Sequence, residues 1–334
     1  MHFKRKALHL QRKQEQKHKY EFIHFCILLL FLLFSFLIPI IISGICFNYK
    51  IVKVLSGFNH NECNKKVSIR VLKKDNSIEN IDLEEYLIGV VSSEMPVYFE
   101  DEALKAQAVA SRTYALKQME NNKDREYDVT DDINYQVYQS NEELKEKWGN
   151  KYDDYYNKIK NAVENTRGEY VSYNDDYIYA FFFSTSNGYT EDNVNVFGKD
   201  LPYLKPVISD VDKEENQNFE VSTSLSKTDF YSKLGIEYND LLRITNINKT
   251  SSNRILSLEI NGVTFKGREF QKLLGLRSND FDVIDNESTI LIKTRGFGHG
   301  VGLSQYGSNG LAKQKKNYIE ILKYYYQGTE IKKL

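Results

Sequence analysis

Residues Val90–Leu116, VVSSEMPVYFEDEALKAQAVASRTYAL, set one carboxylate, Glu94, between an apolar run and a proline at the threshold of a long helix. Asp101 and Glu102 suit a first helical turn, where acids face the positive end of the macrodipole, and Leu104, Ala108, Ser111 and Ala115 recur at helical spacing. Small residues let another backbone approach closely, so the helix is expected to be buried. Lys105, Gln107 and Arg112 then become polar interruptions that need partners. Pro96 disfavours helix at the residue before it, which places Glu94 at a break between two helices. Val90, Val91, Met95, Pro96 and Val97 surround it, and apolar surroundings raise a carboxyl pKa toward the range of a general acid. On residue type alone, a surface glutamate capping a helix or pairing with a lysine is the ordinary alternative.

The chain has 334 residues, 41% hydrophobic and 27% charged, enough for one large or two modest cores. A formal net charge of -1 speaks against a nucleic-acid partner. The average hides a basic N-terminal tail, residues 1–24, with Lys4, Arg5, Lys6, Arg12, Lys13, Lys17 and Lys19 against Glu15 and Glu21. Residues 25–47, FCILLLFLLFSFLIPIIISGICF, carry no charge and match the ~20 residues that cross a hydrocarbon core, so they are expected to form one transmembrane anchor. The basic tail belongs on the cytoplasmic side, which puts everything after Lys50 outside the membrane. A cleaved signal peptide ending near Ser43 and Gly44 is the competing reading; the length of the apolar run favours retention. Cys26 and Cys46 fall in the anchor, leaving Cys63 without an intrachain disulfide partner in the exported part.

The expected fold is α+β, with mixed helices and largely antiparallel sheets in an exported domain, residues 67–334, behind one transmembrane helix and a linker at 48–66. A strand is expected at Val67–Leu72, a turn at Asp75–Ser77, an amphipathic segment at Leu83–Val91, extended structure over DVTDDINYQVYQS (128–140), and a helix at Trp148–Thr166. Strands at Tyr170–Tyr173 and Ile178–Phe183 flank the turn residues Asn174, Asp175 and Asp176, and the second strand delivers Ser184–Tyr189 to a polar loop. Within a variable β-rich part at about 209–288, strands are expected at Leu241–Ile247 and Ile255–Glu259, a tight turn at Asn261-Gly262 and a short helix at Gly267–Leu274. The strand Thr289–Thr294 leads into GFGHGVG, which superficially fits a dinucleotide fingerprint; no ribose-binding acid follows at the expected distance.

Three ordered blocks carry a resemblance: EMP with EALKAQAVASRTYAL, FSTSNGYTEDNVNVFGKDLPYLKPV (Phe183–Val207), and RGFGHGVGLSQYGSNGLAKQ (Arg295–Gln314). Together they resemble the stage II sporulation protein D family, over nearly the whole chain after the N-terminal segment. The resemblance implies a lytic transglycosylase acting on peptidoglycan glycan strands in cell-wall remodelling during sporulation and engulfment. It also implies an amidase partner that strips stem peptides and a membrane scaffold. The same domain occurs in proteins regarded as amidase enhancers, so a non-catalytic wall-binding modifier is the alternative. Some relatives carry a histidine and a cysteine that could hold a metal where this chain has Asn134 and Tyr135; with no other ligand set, neither metal nor cofactor is expected.

Ordinary glycosidases flank the scissile bond with two carboxyl groups. Here Glu94 stands out, and Glu191 and Asp192 are the candidates for a second. A lytic transglycosylase does without one: the muramic 6-hydroxyl attacks the anomeric carbon, and one residue serves as acid and then base. Glu94 is the expected catalytic residue. Arg112 is assigned to a substrate carboxylate or acetamido oxygen, because beside Glu94 it would lower the acid's pKa; a buried ion pair fixing the helix is its structural alternative. Ser186 and Tyr189, and His299 with Ser304 and Gln305 in the glycine-rich block, are the further expected sugar contacts, with Asn187 standing where relatives often have glycine.

Overall fold

The computed structural model describes residues 66–132 and 135–334. The expected tail, transmembrane anchor, linker up to residue 65, Cys63 and Asn134 lie outside the described residues. No helix among the described residues is long and apolar enough to cross a membrane.

Lys66–Leu334 form one compact unit, α+β in class, with the antiparallel pairings in the majority. Strand Ser68–Leu72 pairs antiparallel with Ile78–Asp82 and parallel with Val129–Thr130. The Asp82 carboxylate caps the following helix, Leu83–Glu94, by accepting from the Glu84 and Glu85 amides at 3.0 and 3.3 Å. That helix stops at Glu94 because Met95 is extended, at φ -116 and ψ 143, ahead of Pro96. The next helix, Asp101–Asn121, is the axis of the fold. Its alanines and Leu104 are buried, and it packs against Leu83–Glu94, Tyr152–Asn165, Gln305–Lys313, Tyr318–Tyr325 and strand Glu169–Tyr173. Side chains this small admit five neighbours around one helix.

The helix expected from Trp148 is two helices. Asn141–Trp148 starts at a capping box of Ser140 and Glu143, Gly149 breaks it at φ 53, and Tyr152–Asn165 follows a single 3-10 turn. Of the extended stretch expected over 128–140, only Val129–Thr130 is a strand among the described residues. Glu169–Tyr173 turns through Asn174 and Asp175, at φ 51 and 67, into Asp176–Tyr177, the geometry of a type I′ hairpin. It also pairs with the C-terminal strand Glu330–Lys333. Instead of one strand over 178–183 there is a short one, Phe182–Phe183, which pairs parallel with Leu303–Ser304. This pairing brings two of the three sequence blocks side by side.

Residues 220–295 build a second hydrophobic cluster around Phe230, Leu258, Phe270, Phe281 and Ile292. It contains two three-stranded antiparallel sheets, Ile244–Lys249 with Ile255–Ile260 and Val263–Lys266, and Phe281–Asn286 with Thr289–Arg295 and Glu220–Ser226. Asn261-Gly262 turns at φ 47 and 86, and the helix Gly267–Leu274 follows. A Cβ on Gly267 would lie 1.8 Å from the Ile255 carbonyl oxygen, so only glycine lets this helix start so close to the sheet.

Candidate active site

Glu94 is the last residue of its helix, and its half-buried carboxyl faces a cleft of ≈ 530 Å³. The Val137 amide donates to Oε1 at 2.9 Å, and the Gln305 side chain bonds the same carboxyl. Burial raises the Glu94 pKa above the ordinary carboxyl value, and these two donors pull against it without cancelling it. Gln305 is itself held by an amide chain. Its Nε2 lies 3.5 Å from Gln107 Oε1, and Gln107 Nε2 donates to Ser111 Oγ at 3.0 Å, both on the axial helix. Gln107, expected from sequence to need a buried partner, therefore connects the helix to the carboxyl.

The walls are aromatic: Phe181, Phe197 and Phe297, with Tyr114 and Tyr135. Phe197 stacks on Phe181 at 4.4 Å between centroids and meets the His299 ring edge-on at 5.3 Å. His299 Nδ1 accepts from the Val301 amide at 3.0 Å, which leaves the proton of the neutral ring on Nε2. Burial first, then the charges of Arg254 and Arg268, push its pKa down to about 3, so the imidazole is neutral across the physiological range. Its ring N–H is engaged by the Phe182 backbone, so it is held in place and does not act as an acid–base group there. Gln136 is buried in the same lining. Its Nε2 faces the Ser111 carbonyl at 3.5 Å, and its Oε1 has no partner among the described residues. An orphaned buried acceptor costs about 1–3 kcal/mol and is relieved by a ligand N–H or O–H.

The glycines of the GFGHGVG loop are close-approach residues. A Cβ at Gly296, Gly298 or Gly302 would meet the 181–186 segment at 2.9, 2.9 and 2.1 Å, and one at Gly300 would meet the Arg254 guanidinium at 2.6 Å. The loop is thereby pressed against the neighbouring block, which brings His299 to the cleft.

Among the expected site residues, Glu94, His299 and Gln305 come together in this cleft. Arg112 does not reach it. Its guanidinium is fully buried, with Nε and Nη2 at 3.0 and 2.6 Å from the two Glu84 oxygens and Nη1 donating to the Glu169 carbonyl. The assignment to substrate is corrected to the buried ion pair, because Glu84, ten residues before Glu94, supplies the nearer carboxylate. Ser186 is also internal: its amide donates to Asp212 and its hydroxyl to the Ser209 carbonyl. Tyr189 is exposed, in a short strand beside Ile208, and does not line the cleft. Glu191 is buried, accepting from the Asp192 amide, Asn195 and Thr250. Asp192 caps the helix Asn193–Phe197 and pairs with Lys205. Neither acid reaches the cleft, and among the described residues Glu94 is the one carboxylate in its lining.

Two residues escaped the sequence reading. Asp212, wholly buried, accepts from Ser304, from Ser209 at 2.7 Å and from the Ser186 amide at 2.8 Å, tying together the two blocks that form the cleft. Arg268, the one lysine or arginine in the lining among the described residues, comes from the region of the second hydrophobic cluster, at the start of the helix Gly267–Leu274. No local signal in KGREF separates it from other surface arginines.

A family model described as stage II sporulation protein matches residues 72–173. The chain is 45% identical over 271 residues to stage II sporulation protein D of Bacillus subtilis, covering 79% of each chain. Identity to the protein of the same name from Bacillus amyloliquefaciens is also 45%, over 79% of this chain and 78% of that one. A Bacillus subtilis protein named amidase enhancer is 28% identical over 73% of this chain and 40% of its own length.

Proposed function

The chain belongs to the stage II sporulation protein D family, and on that premise we propose that it is a lytic transglycosylase that cleaves peptidoglycan glycan strands during sporulation. The observation that carries the reading is a cleft with a single carboxyl group among the described residues, Glu94, whose pKa burial raises. A hydrolase of the ordinary kind needs a second carboxylate to activate water or attack the sugar. A transglycosylase does not. Glu94 protonates the glycosidic oxygen between MurNAc and GlcNAc as the bond to the anomeric carbon breaks. The muramic 6-hydroxyl closes on that carbon, and the carboxylate takes the hydroxyl proton, which regenerates the acid and leaves a 1,6-anhydro end. No water is consumed. The aromatic walls suit the faces of sugar rings, and the Gln136 acceptor, without a partner among the described residues, suits a hydroxyl or acetamido N–H.

In the same reading the apolar run 25–47 anchors the chain with the catalytic domain outside the membrane, where the wall is. An amidase that strips stem peptides and a membrane scaffold are the partners that family membership suggests. The relative named amidase enhancer supports a second reading, a non-catalytic modifier of a cell-wall amidase. Mass spectrometry of glycan strands incubated with purified protein in isotopically labelled water separates the possibilities. Unlabelled 1,6-anhydro ends support the transglycosylase, labelled reducing ends a hydrolase, and intact strands the modifier.

A further inference from the structure

Resting on the catalytic reading above, we propose that Arg254 is a positioning residue: from behind the GFGHGVG loop it fixes the backbone on both sides of His299, and so sets the histidine wall of the cleft without touching substrate. Arg254 immediately precedes strand Ile255–Ile260, in the region of the second hydrophobic cluster, and is fully buried. Its Nη1 donates to the Gly298 carbonyl and to Asn279 Oδ1, each at 3.2 Å. Nε and Nη2 have no partner among the described residues. On the other side of His299, a Cβ on Gly300 would lie 2.6, 2.7 and 2.7 Å from Nε, the guanidinium carbon and Nη2, so the loop backbone rests directly on the planar group. Both neighbours of His299 therefore touch one guanidinium.

A buried guanidinium that pairs with no carboxylate is destabilising in itself. Burial lowers the Arg254 pKa to about 10, which still leaves it charged at neutral pH. An apolar side chain would avoid that cost, but it would not hold the Gly298 carbonyl. The loop is braced from another element as well. The Glu191 amide donates to the Gly300 carbonyl at 2.7 Å, the Glu191 carboxylate accepts from the Thr250 hydroxyl at 2.6 Å, and that hydroxyl accepts from the Arg254 amide at 3.3 Å. Phe197 meets the His299 ring edge-on and the Val301 amide holds its Nδ1, so a displaced loop carries part of the wall with it. The charge works in the same sense. After burial, Arg254 is what most disfavours a protonated His299, and an imidazolium in the lining would favour Glu94 as the carboxylate instead of the acid.

The test compares Arg254→Gln and Arg254→Lys with wild type, as full-length protein in detergent, by nitrogen NMR of labelled histidine and by the kinetics of 1,6-anhydro product release from peptide-free strands. The signals that His299→Gln removes identify the ring. At pH 7 wild-type His299 is expected as one tautomer, with the proton on Nε2 and Nδ1 accepting from Val301. Arg254→Gln should give mixed tautomers and faster exchange of the Val301 amide. Its kcat should fall on the order of 10- to 100-fold with KM changed less, the signature of a displaced wall. Arg254→Lys, which keeps the charge and a donor, should recover part of both. A folded Arg254→Gln protein with the wild-type His299 spectrum, or with the wild-type kcat, overturns the positioning role. Should Arg254→Gln not fold, Arg254→Lys is judged by the same two readouts, and wild-type values of either overturn the role. If wild-type protein cuts no strand, the transglycosylase reading fails, and the His299 signals alone decide whether Arg254 fixes the loop.

Discussion

Arg112 closes on Glu84, Nη2 to Oε2 at 2.6 Å, in a fully buried pair joining the axial helix to the helix that ends in Glu94. The pair also holds the end of a third element, since Glu84 Oε1 accepts from the Gly168 amide at 3.1 Å. The guanidinium thus sets the orientation of the Glu94 helix without touching the Glu94 carboxyl.

Removing one partner leaves the other charge buried and unpaired. Arg112→Met is expected to destabilise the protein by about 3–5 kcal/mol, and Arg112→Met with Glu84→Gln to recover part of that loss. Urea unfolding followed by circular dichroism measures both. An Arg112→Met protein of undiminished stability but raised KM would return the guanidinium to the substrate.

Burial raises the Glu94 pKa, which has two consequences of fixed sign. As a general acid it must be protonated, so kcat/KM should fall as pH rises through the raised value. A carboxyl whose folded pKa exceeds its unfolded one costs no stability below the unfolded value, about 4.3 for Glu. The cost then grows as pH climbs toward the folded value. Glu94→Gln should accordingly raise Tm at pH 7 and lose that advantage at pH 4, read by scanning calorimetry. His299, neutral in this range, contributes no limb to the rate profile.

Gln305 donates to Glu94 and opposes its raised pKa. In Gln305→Leu the descending limb of kcat/KM should move to higher pH, and kcat should fall on the order of 10-fold as the carboxyl loses a positioned donor. A loss of rate with no movement of the limb would mean that Gln305 contacts the sugar and not the acid.

What the sequence made legible is local. The break at Glu94 follows from Pro96, the tight turns from Asn174-Asp175 and Asn261-Gly262, and the helix Gly267–Leu274 from its spacing. What it hid is a matter of partners. Arg112 reads as a substrate-holding cation, with a buried ion pair as its alternative, and only tertiary packing names the carboxylate that meets it, Glu84. Ser186 looked like an exposed loop residue, yet its hydroxyl turns inward to the Ser209 carbonyl. Asp212 and Arg268 lie where no motif is recognisable, and only tertiary packing brings one to the Ser304 hydroxyl and the other to the cleft.

The expected anchor gives a prediction about topology. With residues 25–47 spanning and the basic tail inside, protease treatment of intact cells should remove the domain at 67–334 and leave a small tail-and-anchor fragment. A mature N-terminus near Gly44 or Cys46 would show a cleaved signal instead.

The central claim is that one carboxyl performs the chemistry, and muropeptide release by Glu94→Gln is its most direct measure. The amide keeps the side chain's size and can still accept from Val137, but it cannot exchange the proton. Release of anhydro-muropeptides from peptide-free strands should therefore be abolished, while binding to those strands and the folded circular dichroism spectrum stay near wild type. Release at the wild-type rate by a folded Glu94→Gln protein would contradict the account and place the acid elsewhere.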